Sequence, residues 1–237
     1  IFFMLVTAGL LRFGGDPTRA QLSLVSVVLF LVPLVALVFG TVYLYNAREF
    51  IELILAQPVN RRQTYGGLYL GLALPLNLAF VVGIATPFVL HGIDAQAWST
   101  LAALLAAGVV LTCIFTAIAT SIAVKCEDRL RGLGAAIGVW LLLTVIYDGF
   151  VLLVLAVMSD YPLERATLGL MMANPIDIAR LGLLLRFDGA AMMGYTGAVF
   201  LKFFSGWTGA LVAALALTTW LAAPVALGMR VFRKKDF

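Results

Sequence analysis

Charge is scarce in this chain of 237 residues: 12% are Asp, Glu, Lys or Arg against 63% apolar, and the mean hydropathy is +1.06. A soluble domain carries about twice that share of charge, so an ordinary water-soluble fold is excluded. Histidine occurs once and cysteine twice. Cys113 falls inside an apolar run and Cys126 at the edge of one, outside any spaced cluster, so both read as unpaired packing residues. His91 has no second histidine beside it and no H-E-x-x-H, which leaves it an interfacial role at an outer helix end. Lysine stands only at 125, 202, 234 and 235, and none closes a G-x-x-x-x-G-K-[ST] loop, so the chain has no P-loop for hydrolysing ATP. The period-two alternation of a membrane barrel is missing as well. No Ser-Lys or Asp pair appears at depth, and no convincing inverted repeat, which argues against an intramembrane enzyme and a gradient-driven transporter.

What remains is a set of apolar runs long enough to cross a hydrocarbon layer of about 30 Å as helices. The reading is an all-α integral membrane protein, a single domain over 1–237. Its six spans lie at about 1–12, 21–45, 65–90, 98–124, 132–158 and 207–230. The first is expected to be the end of a cut helix, because Ile1 sits inside an apolar run with no basic segment before it. Pro33, Pro75, Pro87 and Pro224 fall inside spans, where neighbouring helices can absorb the lost donor. Sorting the bases puts Arg48, Arg61, Arg62, Lys125, Arg129, Arg131, Arg230, Arg233, Lys234 and Lys235 on one side. Arg12, Arg19, Arg165, Arg180, Arg186 and Lys202 fall on the other. By the positive-inside tendency the first side, with the C-terminal tail, is cytoplasmic, and no nucleic-acid partner is implied.

The most mixed stretch is AREFIELILAQPVNRRQ, 47–63. Phe50, Leu53, Ile54 and Gln57 recur at i, i+3, i+4 and i+7, with Ile51 and Leu55 beside them, while Arg48, Glu49 and Glu52 mark a polar side. This spacing predicts an amphipathic helix of about two and a half turns. Pro58 pushes Gln57 out of the helical region and Asn60 suits the cap of the next helix, close to Arg61 and Arg62. Such a helix either lies on the lipid surface or fills a groove of a soluble partner.

Asp148 lies about two thirds of the way outward along its span. A carboxylate there faces a cavity or finds a partner, and either function or helix-helix adhesion explains it. The long external segment, Ser159 to Gly206, carries Asn174-Pro175-Ile176-Asp177, a helix start with cap, first-position Pro and acidic first turn. Ile176, Arg180, Leu181, Leu184 and Leu185 then predict an amphipathic helix lying at the outer membrane surface. Asp160-Tyr161-Pro162 reads as an earlier helix start, and Phe200, Phe203, Phe204 and Trp207 as an aromatic group where the last span enters lipid. Met171-Met172 and Met192-Met193 suit Cu(I) thioether ligation, or serve as apolar filler. Small residues at 102, 103, 106, 107 and 108, and at 132, 134, 135, 136 and 138, suit close helix approach.

AREFIELILAQPVNRRQTYGGLYLG resembles the cytoplasmic segment of ABC-2 type transporter permeases. VWLLLTVIYDGFVLLVL (139–155) and NPIDIARL (174–181) are similar to that family too, and to its permeases for copper-site maturation of nitrous oxide reductase. The resemblance implies that 47–58 is a coupling helix seated in a cleft of a cytoplasmic ATPase, which alone binds ATP and Mg. It also implies a homodimer in the bacterial inner membrane and a periplasmic copper-delivery protein as partner. Other members of the family export lipids, polysaccharides or drugs, and a non-transporting scaffold is a further alternative.

Overall fold

The computed structural model describes residues 1–14, 17–92, 94–157, 169–186 and 207–234. They are all helical or connecting. The helices are α1 (Phe2–Gly14), α2 (Pro17–Asn46), α3 (Arg48–Leu55), α4 (Arg61–His91), α5 (Ala95–Lys125) and α6 (Arg129–Leu141). A π segment (Leu142–Ile146) leads into α7 (Tyr147–Val157), followed by α8 (Pro175–Arg186) and α9 (Trp207–Lys234). Five helical stretches are long and apolar enough to cross a membrane: α2, α4, α5, the continuous α6–π–α7 run and α9. The expected first span is a helix of 13 residues, about 20 Å long and too short to cross by itself. Asp160-Tyr161-Pro162, Arg165, Met192, Met193, Phe200, Lys202, Phe203, Phe204 and Lys235 lie outside the described residues.

The spans start where local chemistry starts them. Asn60 accepts from the Arg62 amide at 3.0 Å, Asp94 from Ala97 at 2.9 Å and Asp128 from Arg131 at 2.8 Å, each satisfying an orphan donor of a first turn. α4 ends at Gly92, whose φ of 70° is the left-handed conformation that glycine adopts without penalty. All four in-span prolines sit inside helices.

α5 is the central element. In its most apolar stretch 56% of the residues are buried, against 17% for α6–π–α7 and none for α9. Its Leu101, Leu104, Leu111, Ile114 and Phe115 pack with Leu24, Val28 and Leu37 of α2 and with Phe80, Ile84 and Phe88 of α4. Small residues let the backbones close in: a Cβ on Gly108 would overlap the Phe80 ring, and one on Gly132 the Tyr45 hydroxyl. Conversely, Leu74 and Leu78 of α4 and Leu152 and Leu153 of α7 are largely exposed. Such surface is stable only against hydrocarbon or another protein.

The helix ends gather on two sides. On one, Tyr45 donates to the Cys126 carbonyl at 3.0 Å, Arg48 to that of Glu127 at 3.2 Å and Arg61 to that of Arg233 at 3.1 Å. On the other, Gln21 donates to the Ala97 carbonyl at 2.9 Å, tying the start of α2 to that of α5. Arg48, Arg61 and Arg233, which the sorting of bases put together, thus meet on one side.

Candidate functional site

Two constellations concentrate the polar chemistry, one at each side of the bundle. The first is α3, which spans Arg48–Leu55, eight residues or about two turns, slightly shorter than its spacing predicts. Its apolar residues divide between two directions. Ile51, 5% exposed, packs with Leu44, Tyr65, Val124 and Phe232, the ends of α2, α4, α5 and α9, with Leu55 at the edge of that cluster. Phe50 and Leu53 are 62% and 68% exposed, and Ile54 is half-buried.

Charge fixes the register of α3. The Arg48 guanidinium bonds Glu52 at 3.2 Å one turn on, and reaches across to the Glu127 carbonyl in the turn between α5 and α6. Glu49 and Glu52 are exposed, as are Gln57 and Pro58 in the turn that follows and Arg62 on the next helix. The chain leaves the helix after Ala56, as Pro58 dictates.

The second constellation corrects an expectation. α8 does not lie along the membrane surface: Asn174, Pro175, Ile176, Asp177, Ile178 and Ala179 are all buried, packed in the bundle against α5, α2 and α9. The physical reason is a set of partners that the periodicity of α8 does not reveal. Arg180 Nη1 donates to Asp148 Oδ2 at 2.8 Å and to Asp177 Oδ1 at 3.2 Å. Asn174 Nδ2 donates to Asp177 Oδ2 at 3.1 Å and to the Leu143 carbonyl at 2.8 Å, while its Oδ1 accepts from the Ile176 amide at 3.1 Å. The expected cap therefore forms, and one side chain both starts α8 and clasps a neighbouring span.

The π segment makes that clasp available. The Tyr147 amide bonds back to Leu142 and not to Leu143, so the Leu143 carbonyl is open to a donor from outside the helix. A π turn of this kind often marks a functional position. Tyr147 adds another tie, its hydroxyl donating to the Leu170 carbonyl at 2.5 Å; it does not serve Asp148. Burial, then the nearby Asp148 charge, pushes the Asp177 carboxyl up to about 6, against the opposing pull of Arg180 and Asn174.

Met171 and Met172 are half-buried in the turn of helix just before Asn174, and His91 is exposed at the end of α4. Among the described residues no group of three His, Cys, Asp or Glu side chains is placed to hold a metal ion. Sequence reasoning found Asp148, Asn174, Asp177 and Arg180 but neither their meeting nor the Leu143 carbonyl that joins them. Its one available signal was Asp148 itself, a carboxylate at depth that demands a cation.

Among the described residues the chain is a helical bundle with five stretches of membrane-spanning length and a short amphipathic helix tethered at one end. The family model for ABC-2 family transporter proteins matches residues 12–237, and the chain belongs to that family. It is a multi-pass membrane permease. Two curated relatives, each described as a probable ABC transporter permease protein NosY, come from Pseudomonas aeruginosa and Stutzerimonas stutzeri. Each is 28% identical to this chain, over 242 and 237 residues, covering 99% and 96% of it and 86% and 84% of the relatives.

Proposed function

We propose that this chain is the transmembrane subunit of an ABC transporter that works as a homodimer with a cytoplasmic ATPase. In this reading the ATPase alone binds ATP and Mg, α1 contributes to a sixth span, and the α3 side with the C-terminus is cytoplasmic. The observation that carries it is the divided surface of α3: Ile51 and Arg48 fix the helix to the bundle, while Phe50 and Leu53 remain uncovered. A helix held firmly on one face and apolar on the other transmits a push from whatever seats on it. Glu49, Glu52, Ile54, Gln57, Pro58, Arg61 and Arg62 form the rim and hinges of that seat.

Similarity to the NosY permeases supports a role in the copper-site maturation of nitrous oxide reductase. There the work of this subunit is transport, or handover to a periplasmic partner on the α8 side. Asn174, Pro175 and Asp177, which are buried, and Arg180, which is partly so, hold α8 in place as the external platform for that partner. Met171, Met172, Met192 and Met193 are the copper contacts of this reading.

Copurification is the direct test. Glu49→Arg with Leu53→Asp is expected to abolish recovery of the ATPase with tagged permease, while the permease still extracts as a folded protein, because both positions are exposed. Full recovery and intact function would sink the coupling role. Replacing the four methionines is expected to lower the copper content of the matured reductase; no change removes them as contacts.

A further inference from the structure

Between α5, α8 and α9 lies a cavity of about 650 Å³. Its walls are small and apolar, with Ala103 and Ala107 on α5, Gly182 on α8, and Ala210 and Ala213 on α9; Arg186, the last residue of α8, stands at its edge. Gly182 and Ala210 are exposed, so the cavity is a groove open to the surroundings. From this geometry we infer that the groove holds one acyl chain of an anionic phospholipid, its phosphate held at the Arg186 guanidinium.

Depth comes first. Trp207, 80% exposed, opens α9 and marks the interfacial level where tryptophan is enriched. The deepest α9 residue of the groove, Leu217, lies about 15 Å below it at 1.5 Å per residue, half of a hydrocarbon layer of about 30 Å. The groove is therefore one leaflet deep.

Size and polarity select the occupant. A volume of 650 Å³ has room for about twenty waters, but ordered water needs two or more polar partners each and these walls offer almost none. A methylene is close to a water in size, so one lipid chain matches the volume. No carboxylate among the described residues pairs with Arg186, and an interfacial arginine favours an anionic headgroup over a zwitterionic one. The site is independent of the transport reading above.

The test places the full chain in nanodiscs of phosphatidylglycerol or phosphatidylcholine carrying a photoreactive group near the acyl terminus. Adducts are expected to concentrate on peptides 103–110 and 210–217, with phosphatidylglycerol favoured by about threefold or more. Gly182→Phe is the blocking variant, because a Cβ added there meets nothing within 4 Å. It is expected to lower those adducts about fivefold, a change of about 1 kcal/mol, and to spare the exposed Leu74 and Leu78 face of α4. Arg186→Gln is expected to equalise the two lipids while keeping the adducts, and stays informative if the glycine variant misfolds. Labelling of the groove no stronger than that of the α4 face and unmoved by Gly182→Phe would show ordinary annular lipid and overturn the site. A photoreactive residue in place of Ala107 that captures peptide, from the same chain or a second copy, would overturn it equally.

Discussion

Asp148, Asp177 and Arg180 form an unequal trio, with two carboxylates sharing one cation and only Asp177 deeply buried, its side chain 6% exposed. The imbalance orders the consequences of substitution. Asp148→Asn removes one of two competing negative charges and leaves the Arg180–Asp177 pair, so it is expected to cost under about 1 kcal/mol. Arg180→Met strands both carboxylates. Full burial would make that worth about 3–5 kcal/mol; with the Arg180 and Asp148 side chains 37% and 31% exposed, about 1–3 kcal/mol is expected. Thermal unfolding in detergent ranks the two variants, and the reverse order would refute the arrangement. The pH dependence follows from Asp177, raised from the usual 3.8 to about 6. The folded chain then keeps a proton there that the unfolded chain gives up near pH 4, so this contribution is complete below about pH 4 and lost as pH rises through about 6. Its size is at most about 3 kcal/mol. Midpoints measured between pH 4 and 7 are expected to fall with pH in the native chain and to lose that component in Asp177→Asn.

Among the elements, α3 and the π segment differ in how far the sequence reveals them. The limits of α3 depend on neighbours in the chain: Pro58 bars the residue before it from the helix and Asn60 caps the next one, and both effects are visible in the sequence. Which apolar residues of α3 turn inward is another matter. Ile51 is buried and Phe50 is not because the ends of four other helices converge beside Ile51, and no local pattern encodes that convergence. The π segment is hidden for the same reason: LLTVI has no breaker, and the partner of its open carbonyl, Asn174, lies 31 residues further on. The surface position expected for α8 failed likewise, since its stripe of leucines is real but its first turn is drawn inward by Asp148 and Leu143. Deleting Val145 tests the π turn. The π turn holds one residue more than a regular turn, so the deletion restores the α ladder with little change in the direction of the residues beyond it: Asp148 still faces Arg180, while the Leu143 carbonyl is drawn back into the helix and lost to Asn174. A loss of about 1 kcal/mol is expected in thermal unfolding, and combining the deletion with Asn174→Ala should add less than the two losses summed. Full additivity would mean that the π turn does not present Leu143 to Asn174.

At the scale of the whole molecule, the run from Arg129 to Val157 joins the two constellations. It begins beside the Glu127 carbonyl that Arg48 holds, and carries both the Leu143 carbonyl clasped by Asn174 and the Asp148 carboxylate held by Arg180. On the proposed reading, a displacement of α3 is passed through Arg48 to the start of this span and felt by α8 at the opposite side. The π turn within it is the element able to take up a register change, which gives the route a physical basis beyond adjacency. Amide exchange in the first turn of α8 reads the far end, because the Ile176 and Ile178 amides bond to Asn174, the residue that also grips Leu143. With the ATPase bound, a non-hydrolysable ATP analogue is expected to accelerate exchange of these two amides. Arg48→Ala leaves Phe50 and Leu53 in place to bind the ATPase and is expected to diminish the acceleration without preventing assembly. If exchange in α8 ignores nucleotide in the native complex, or responds equally without Arg48, the span does not carry the signal.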